Sequence, residues 1–297
     1  MATRARGHSE NVPGSFFVDD TCIDCDTCRQ VAPLVFADAG DHSFVQLQPE
    51  SDADVRLAAR AVLCCPTNSI GSDRPAEVRA AASDFPVRID VEVYACGFNA
   101  ESSFGAHSYF VRRPEGNWLI DSPRWMPALA TRFAELGGIA NIFLTHRDDV
   151  ADARRYADRF SATVIIHALD ASAFPVAGRV LDGVDPQELA AGIVAIPTPG
   201  HTAGHCVLLV DDTYLFSGDH LWWSRPQGRL SASRSVCWHS WSEQCRSMRR
   251  LAERRFSWVL PGHGERMHLD DPQGEILALC ARMTEGAASD KDAPSEH

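Results

Sequence analysis

Five of the ten cysteines fall between positions 22 and 65, and their spacing suits a metal–sulfur centre. Cys22, Cys25 and Cys28 form Cys-x2-Cys-x2-Cys, a loop tight enough for three thiolates to converge on one cuboidal [4Fe–4S] cluster. A remote cysteine must close the fourth corner, and Cys64 and Cys65 are the candidates. Cys65 precedes Pro66, the Cys-Pro order of bacterial cluster sites, so it is expected to ligate and Cys64 to pack. A structural zinc site would want a second close Cys pair with its own spacing, which adjacent Cys64 and Cys65 do not supply. The other five (Cys96, Cys206, Cys237, Cys245 and Cys280) are scattered and read as packing residues.

A second constellation is built from histidine and aspartate. It comprises Thr145-His146-Arg147-Asp148-Asp149, Pro199-Gly200-His201-Thr202-Ala203-Gly204-His205, Ser217-Gly218-Asp219-His220 and Pro261-Gly262-His263-Gly264. Three histidines with two or three carboxylates are what a divalent metal site uses. Between Asp219 and His263 the chain holds Trp222, Trp223, Trp238 and Trp241 with Arg225, Arg229 and Arg234. Those arginines could bind an anionic substrate through charge-assisted hydrogen bonds, or be solvated beside core tryptophans. His220 and His239 could stand behind the metal ligands.

The elements that must present these groups are legible from apolar patterning. Strands are expected at 87–94, 107–111, 118–120, 139–144, 163–166, 193–196, 206–210, 214–217 and 258–260, so that each polar group follows or adjoins a strand. Pro114–Asn117 and Asp211-Asp212 read as hairpin turns, and helices are expected at 51–62, 125–137, 150–160, 242–255 and 272–284. Residues 71–83 are polar and alanine-rich without a core pattern, which divides the chain into a cluster domain (15–72), a linker (73–84) and a larger domain (85–284). The polar ends, 1–14 and 285–297, are expected to be disordered tails.

With 297 residues, 45% hydrophobic and 23% charged, the composition is that of an ordinary globular chain. A net charge of -12 with no Lys/Arg run argues against a nucleic-acid or anionic-membrane partner. The absence of an apolar h-region before Ser15 and of any 18-residue apolar run leads to a cytoplasmic expectation.

Residues 15–72 resemble the single-cluster bacterial ferredoxins, on Cys22, Cys25, Cys28, Pro33, the apolar Leu34-Val35-Phe36, Cys65-Pro66 and Ile70. That resemblance implies one-electron transfer at low potential. Residues 85–270 resemble the metallo-β-lactamase superfamily, on Thr-Pro-Gly-His201-Thr-x-Gly-His, Ser-Gly-Asp219, Pro-Gly-His263-Gly and Asp121 in Leu-Ile-Asp-Ser. The implied class is α+β: a small ferredoxin-like domain followed by an αββα sandwich with a metal at one edge.

The first motif of that superfamily departs from its usual His-x-His-x-Asp-His. His146 matches the first histidine, Asp148 replaces the second, and Val150 and Ala151 replace the Asp and His of a second metal. The resemblance therefore implies one well-held metal on His146, Asp148, His201 and Asp219. Only Asp219 and His263 are certain for a second ion, with Asp149 or Asp152 as remaining carboxylates. Asp219, Asp148 and His263 are the expected catalytic groups.

Two histidines and a carboxylate form the facial-triad inventory of non-haem iron. Persulfide dioxygenases of this superfamily hold one iron on positions matching His146, His201 and Asp219, and its flavodiiron branch has a carboxylate where Asp148 stands. Iron is favoured over zinc or manganese, and the expected function is a redox enzyme on a small, conceivably anionic, molecule, its cluster exchanging electrons with that metal. An electron donor or acceptor protein is a conceivable partner. The rivals are a zinc hydrolase of esters, thioesters or lactones with a structural or regulatory cluster, and a non-catalytic redox sensor or electron-delivery module.

Overall fold

The computed structural model describes residues 2–289, with side chains to 284. The chain forms two compact units: Met1–Leu144 with Asp148–Val164, and Thr145–Arg147 with Ile165–His297.

The first unit opens with the cluster domain: β1 (Phe16–Val18), α1 (Thr27–Val31), β2 (Phe36–Asp38), β3 (Ser43–Val45), α2 (Asp52–Cys64) and β4 (Ile70–Ser72). β1 pairs antiparallel with β4, and β2 with β3. Its core joins Phe16, Val18, Phe36 and Val45 to Ala58 and Ala61 of α2 and to Cys28 and Cys65, so two of the candidate cluster cysteines belong to the core itself. α2 starts where Ser51 Oγ accepts from Asp54 N at 3.1 Å, an N-cap.

The expected N-terminal tail is instead pinned. Asn11 Nδ2 donates to the carbonyls of His8 (2.7 Å) and Val18 (2.8 Å), and its Oδ1 accepts from Val18 N and Val45 N, both at 3.0 Å. One amide thus does the pairing of a strand, which apolar patterning does not reveal. The stretch read as a linker carries α3 (Pro75–Ala81), with Pro75 at its first position, and ends at Asp84, which accepts from Arg56 Nε (2.7 Å) and Arg60 Nε (2.6 Å) of α2.

The unit continues as β5 (Val87–Asp90), β6 (Val93–Ala95), β7 (Tyr109–Val111), β8 (Trp118–Ile120), α4 (Pro127–Glu135), β9 (Asn141–Phe143) and α5 (Ala153–Phe160). Strand order is β9-β8-β7-β6-β5, antiparallel except for β8 and β9. The expected strand at 87–94 is a hairpin, β5 and β6, with an irregular register beside its turn.

β10 (Thr163–His167) leads into the second unit and pairs in parallel with β11 (Arg179–Leu181). There follow β12 (Gln187–Ala190), β13 (Ile193–Pro197), β14 (Cys206–Val210), β15 (Tyr214–Gly218), β16 (Trp222–Ser224), β17 (Arg229–Ser231), α6 (Trp241–Leu251), β18 (Trp258–Pro261), β19 (Met267–His268) and α7 (Pro272–Ser289). The main sheet runs β12-β13-β14-β15-β18-β19, and β16–β17 is a separate hairpin. Asp211 and Asp212 turn β14 into β15 with φ of 52° and 47°, the two positive values of a type I′ hairpin. Val207, Leu209, Leu215 and Val259 of the sheet pack with Met248 and Leu251 of α6 and Ile276 and Leu279 of α7. α7 runs past residue 284, and residues 290–297 of the expected C-terminal tail lie outside the described residues.

Gly218 ends β15 with φ +48°, where a Cβ would lie 2.6 Å from Thr145 Oγ1 and 2.7 Å from His205 Nε2. Gly218→Ala is therefore expected to destabilise by about 2 kcal/mol or more, a lowered denaturant midpoint being the measurement.

Candidate cluster and metal sites

Cys22, Cys25, Cys28 and Cys65 line one small cavity together with Ile23, Thr27, Ser43 and Ser69. Cys64 is buried and does not line it. The tight loop needs left-handed residues, which Asp24 (φ 57°) and Asp26 (φ 62°) provide, and Arg29 fixes both by ion pairs at 2.8 and 2.6 Å. Backbone N–H groups of Ser69 and Ser43 point at the sulfurs of Cys65 (3.2 Å) and Cys22 (3.5 Å). Burial pushes the Cys25 thiol up to about 11 and Cys28 higher still. Only a bound cation would hold them as thiolates at neutral pH, and a four-sulfur cavity with amide donors fits an iron–sulfur cluster.

The sheet of the first unit reaches directly into this domain. Gly105 lies so close to Cys25 that a Cβ would stand 2.8 Å from the cysteine Cβ, and its carbonyl accepts from Thr27 Oγ1 (3.2 Å) and Asn99 Nδ2 (2.7 Å). Arg124 Nη1 donates to the carbonyl of Cys65 at 2.9 Å and Nη2 to that of Leu63 at 2.7 Å, closing the C-terminal end of α2 with a cation. Arg124 is itself held through its carbonyl, which accepts from Tyr156 Oη at 3.0 Å. A reduced cluster carries one more negative charge, which this guanidinium favours. Arg124→Gln should lower the midpoint potential by about 59 mV or more, a tenfold shift for a one-electron couple. Redox titration by electronic absorption checks it; an unchanged potential would free Arg124 of this role.

The metal group lies within the second unit. His146 Nε2 and His201 Nε2 each stand 3.7 Å from Asp219 Oδ2, and the three residues are 0%, 3% and 8% exposed. His201 Nδ1–H donates to the Val236 carbonyl at 2.6 Å, which fixes the tautomer and turns the Nε2 lone pair toward Asp219. His146 Nδ1 pairs with Thr145 Oγ1 at 2.9 Å, so its Nε2 faces the same point. His263 Nδ1 bridges both Asp219 oxygens at 2.9 and 3.0 Å. Burial pushes the Asp219 carboxyl up, but His263, His146 and His201 outweigh it and hold it well below the usual carboxylate range. Two lone pairs and an ionised carboxylate, pre-oriented and buried, fit one divalent cation.

Behind Asp219, its backbone N–H donates to His205 Nε2 at 3.2 Å, so His205 carries its proton on Nδ1 and donates to Thr198 Oγ1 at 2.9 Å. Burial, with the neighbouring histidines, lowers His205 well below its ordinary value, so it stays neutral as this bond requires. Burial also lowers His220 to about 3, while His239 is exposed.

Asp148 is exposed, and the close group of His146, His201 and Asp219 does not include it; the buried carboxylate of that loop is Asp149 at 1%. The turn after His146 directs residues 147 and 148 to solvent, an orientation that alignment to a motif does not give. Asp152 is committed to the backbone N–H of Trp125 at 2.6 Å. Asp121 ends β8 with φ 54° and is 3% exposed.

Patterning missed Asp170, which has no motif around it and sits in a short 3-10 turn at Ala168–Ala173. Fully buried, it accepts from Arg147 N (3.1 Å), Thr202 Oγ1 (2.5 Å) and Gly204 N (3.1 Å), tying the His146 loop to the His201 loop. Asp170→Asn turns an amide donor toward three donors. About 2 kcal/mol of stability and a tenfold or greater loss of metal affinity are expected, read by thermal melting and competition with a chelator.

This fold and donor set define a metal-binding α+β chain with an iron–sulfur domain in front. The chain belongs to the metallo-β-lactamase superfamily, whose pattern matches residues 87–271, and residues 18–72 match the 4Fe-4S single cluster domain of Ferredoxin I. A curated relative, hydroxyacylglutathione hydrolase of Rhizobium etli, is 32% identical over 161 residues, which cover 51% of this chain and 59% of the relative. The match thus spans about three-fifths of that relative's length. Among solved structures, DIM-1 metallo-β-lactamase exposed to ceftazidime aligns with a TM-score of 0.51 at 16% identity, covering 66% of this chain and 95% of that one. ETHE1 from Myxococcus xanthus aligns at 0.50 and 18% identity, covering 69% and 92%. These likenesses show the fold.

Proposed function

We propose that the protein is a redox enzyme acting on a small molecule, in which the [4Fe–4S] domain exchanges electrons with a single non-haem iron held by His146, His201 and Asp219. The observation that carries this reading is the two-histidine, one-carboxylate group, whose Nε2 atoms and carboxylate converge within 4.8 Å of one another. Iron at such a site supplies one-electron chemistry with open positions for a substrate or O2. The chain's own contribution is orientation: Val236 and Thr145 set the imidazole tautomers, His205 and His263 hold Asp219, and Asp170 locks the two histidine loops. A low-potential cluster gripped by Arg124 and Gly105 has a use beside a redox metal and none evident beside a hydrolytic one.

Stopped-flow reduction of the cluster, followed by exposure to O2, tests the exchange. Wild type is expected to lose its reduced-cluster signal faster than Asp219→Ala; equal rates would sink the proposal.

The second reading is a zinc-dependent thioester hydrolase, favoured by the similarity to a hydroxyacylglutathione hydrolase. There a zinc held by His146, His201 and Asp219 would lower the pKa of a bound water to about 7, and the cluster would be structural or regulatory. Steady hydrolysis of a glutathione thioester by zinc-loaded protein would select it.

A further inference from the structure

Outside the cluster and metal centres, the N-terminal segment and the β2–β3 turn bring a further donor group together within the first unit. One ligand atom each from His8, Glu10 and His42 lies within 4.8 Å of the others. The backbone fixes two of these residues: His8 N donates to the Val18 carbonyl at 3.0 Å, and the His42 carbonyl accepts from Ala39 N at 2.9 Å. Asp41 Oδ1 stands 2.6 Å from His42 Nδ1, which places that ring's proton on Nδ1 and a lone pair on Nε2. His42 Nε2 faces Glu10 Oε2 at 3.8 Å, too far for a hydrogen bond, and Ser9 Oγ donates to the same oxygen at 3.1 Å. The Nε2 atoms of His8 and His42 are both buried, and neither has a hydrogen-bond partner among the described residues.

A ring lone pair and a carboxylate facing each other across 3.8 Å repel unless a cation stands between them. The spacing matches the 3.7 Å that separates Asp219 Oδ2 from the Nε2 atoms of His146 and His201. We propose that His8, Glu10 and His42 form a further site for one divalent transition-metal ion, with zinc the fitting choice for two imidazoles and a carboxylate. The His8 and His42 rings lie face to face, centroids 3.6 Å apart and 15° from parallel. Stacked imidazoles cannot both aim at one ion, so His42 and Glu10 are the preformed half of the site and the His8 ring swings in about its side-chain bonds. Glu10 is exposed, which gives the ion a way in from solvent. The ion joins the N-terminal segment to the hairpin whose Ser43 N–H points at Cys22 Sγ at 3.5 Å, and so braces one face of the four-cysteine cavity. The site stands apart from the choice of metal chemistry in the second unit.

The test is zinc titration of the cluster-loaded chain carrying Asp219→Ala, which takes the second-unit group out of the count, read in competition with a chromogenic zinc indicator. One zinc per chain should bind with a Kd of about 1 μM or tighter, and magnesium about a hundredfold or more weaker. Glu10→Gln should weaken zinc binding about tenfold, and so should Asp41→Asn, which releases the His42 tautomer. His42→Ala should weaken it further still. Glu92→Gln, whose partner is Arg112, should leave it unchanged. Should His42→Ala fail to fold, Glu10→Gln decides, because that side chain is exposed. Absence of zinc uptake at micromolar concentration would overturn the assignment, as would uptake indifferent to Glu10→Gln; in either case the three side chains share no more than a proton.

Discussion

Asp219→Ala is expected to take the metal content of the second unit from about one ion per chain to near zero while leaving the [4Fe–4S] absorption intact. Asp219 is the point on which the site converges: His146 and His201 face its Oδ2, and His263 bridges its two oxygens. Without it the remaining donors are neutral imidazoles, and a divalent cation loses both a ligand and its only counter-charge in that group. An affinity loss of about a hundredfold or more follows, since even residues behind the ligands cost roughly 10 to 100-fold. Inductively coupled plasma analysis, with circular dichroism to show that the fold persists, reads the result. The same assay on Asp149→Ala separates one ion from two. Unchanged metal content supports the single site; a fall of one ion from two would make Asp149 a ligand and favour the hydrolase.

Cys65→Ser is expected to abolish or convert the cluster, whereas Cys64→Ser should leave it nearly intact. Cys65 lines the four-cysteine cavity and Cys64 does not, although the two are adjacent and both buried. A serine hydroxyl is a far poorer match to iron than a thiolate. The loss should carry a structural cost, because Cys65 belongs to the same core as Phe16, Phe36 and Ala58. Absorbance near the cluster band and iron content check both variants. The reverse pattern would move the fourth ligand to Cys64.

The gathering of Cys22, Cys25, Cys28 and Cys65 on one cavity was legible because iron–sulfur coordination would impose such a spacing on the chain. That His146, His201 and Asp219 come together was legible for a related reason, since each ends or adjoins an apolar strand. Asp148 illustrates the limit: counting along a motif placed it at the metal, but a tight turn decides orientation, and the turn exposes it and buries Asp149. Strands Trp118–Ile120 and Cys206–Val210 follow the expected ranges because buried strands leave continuous apolar runs. The N-terminal segment and Asp170 left no such trace. They are ordered by single side chains, Asn11 and Asp170, whose partners lie up to 34 residues away. Arg124 belongs with them: a lone arginine beside a proline shows nothing until the end of α2 is folded against it.

The most direct measurement for the central claim is anaerobic metal analysis of the purified chain, with EPR before and after reduction. A redox enzyme with one iron beside its cluster should contain about five iron atoms per chain, four of them in the cluster, and little zinc. The extra iron should disappear in Asp219→Ala while the reduced-cluster signal remains. About four iron atoms and one or two zinc ions per chain would contradict the account and leave the hydrolase in its place.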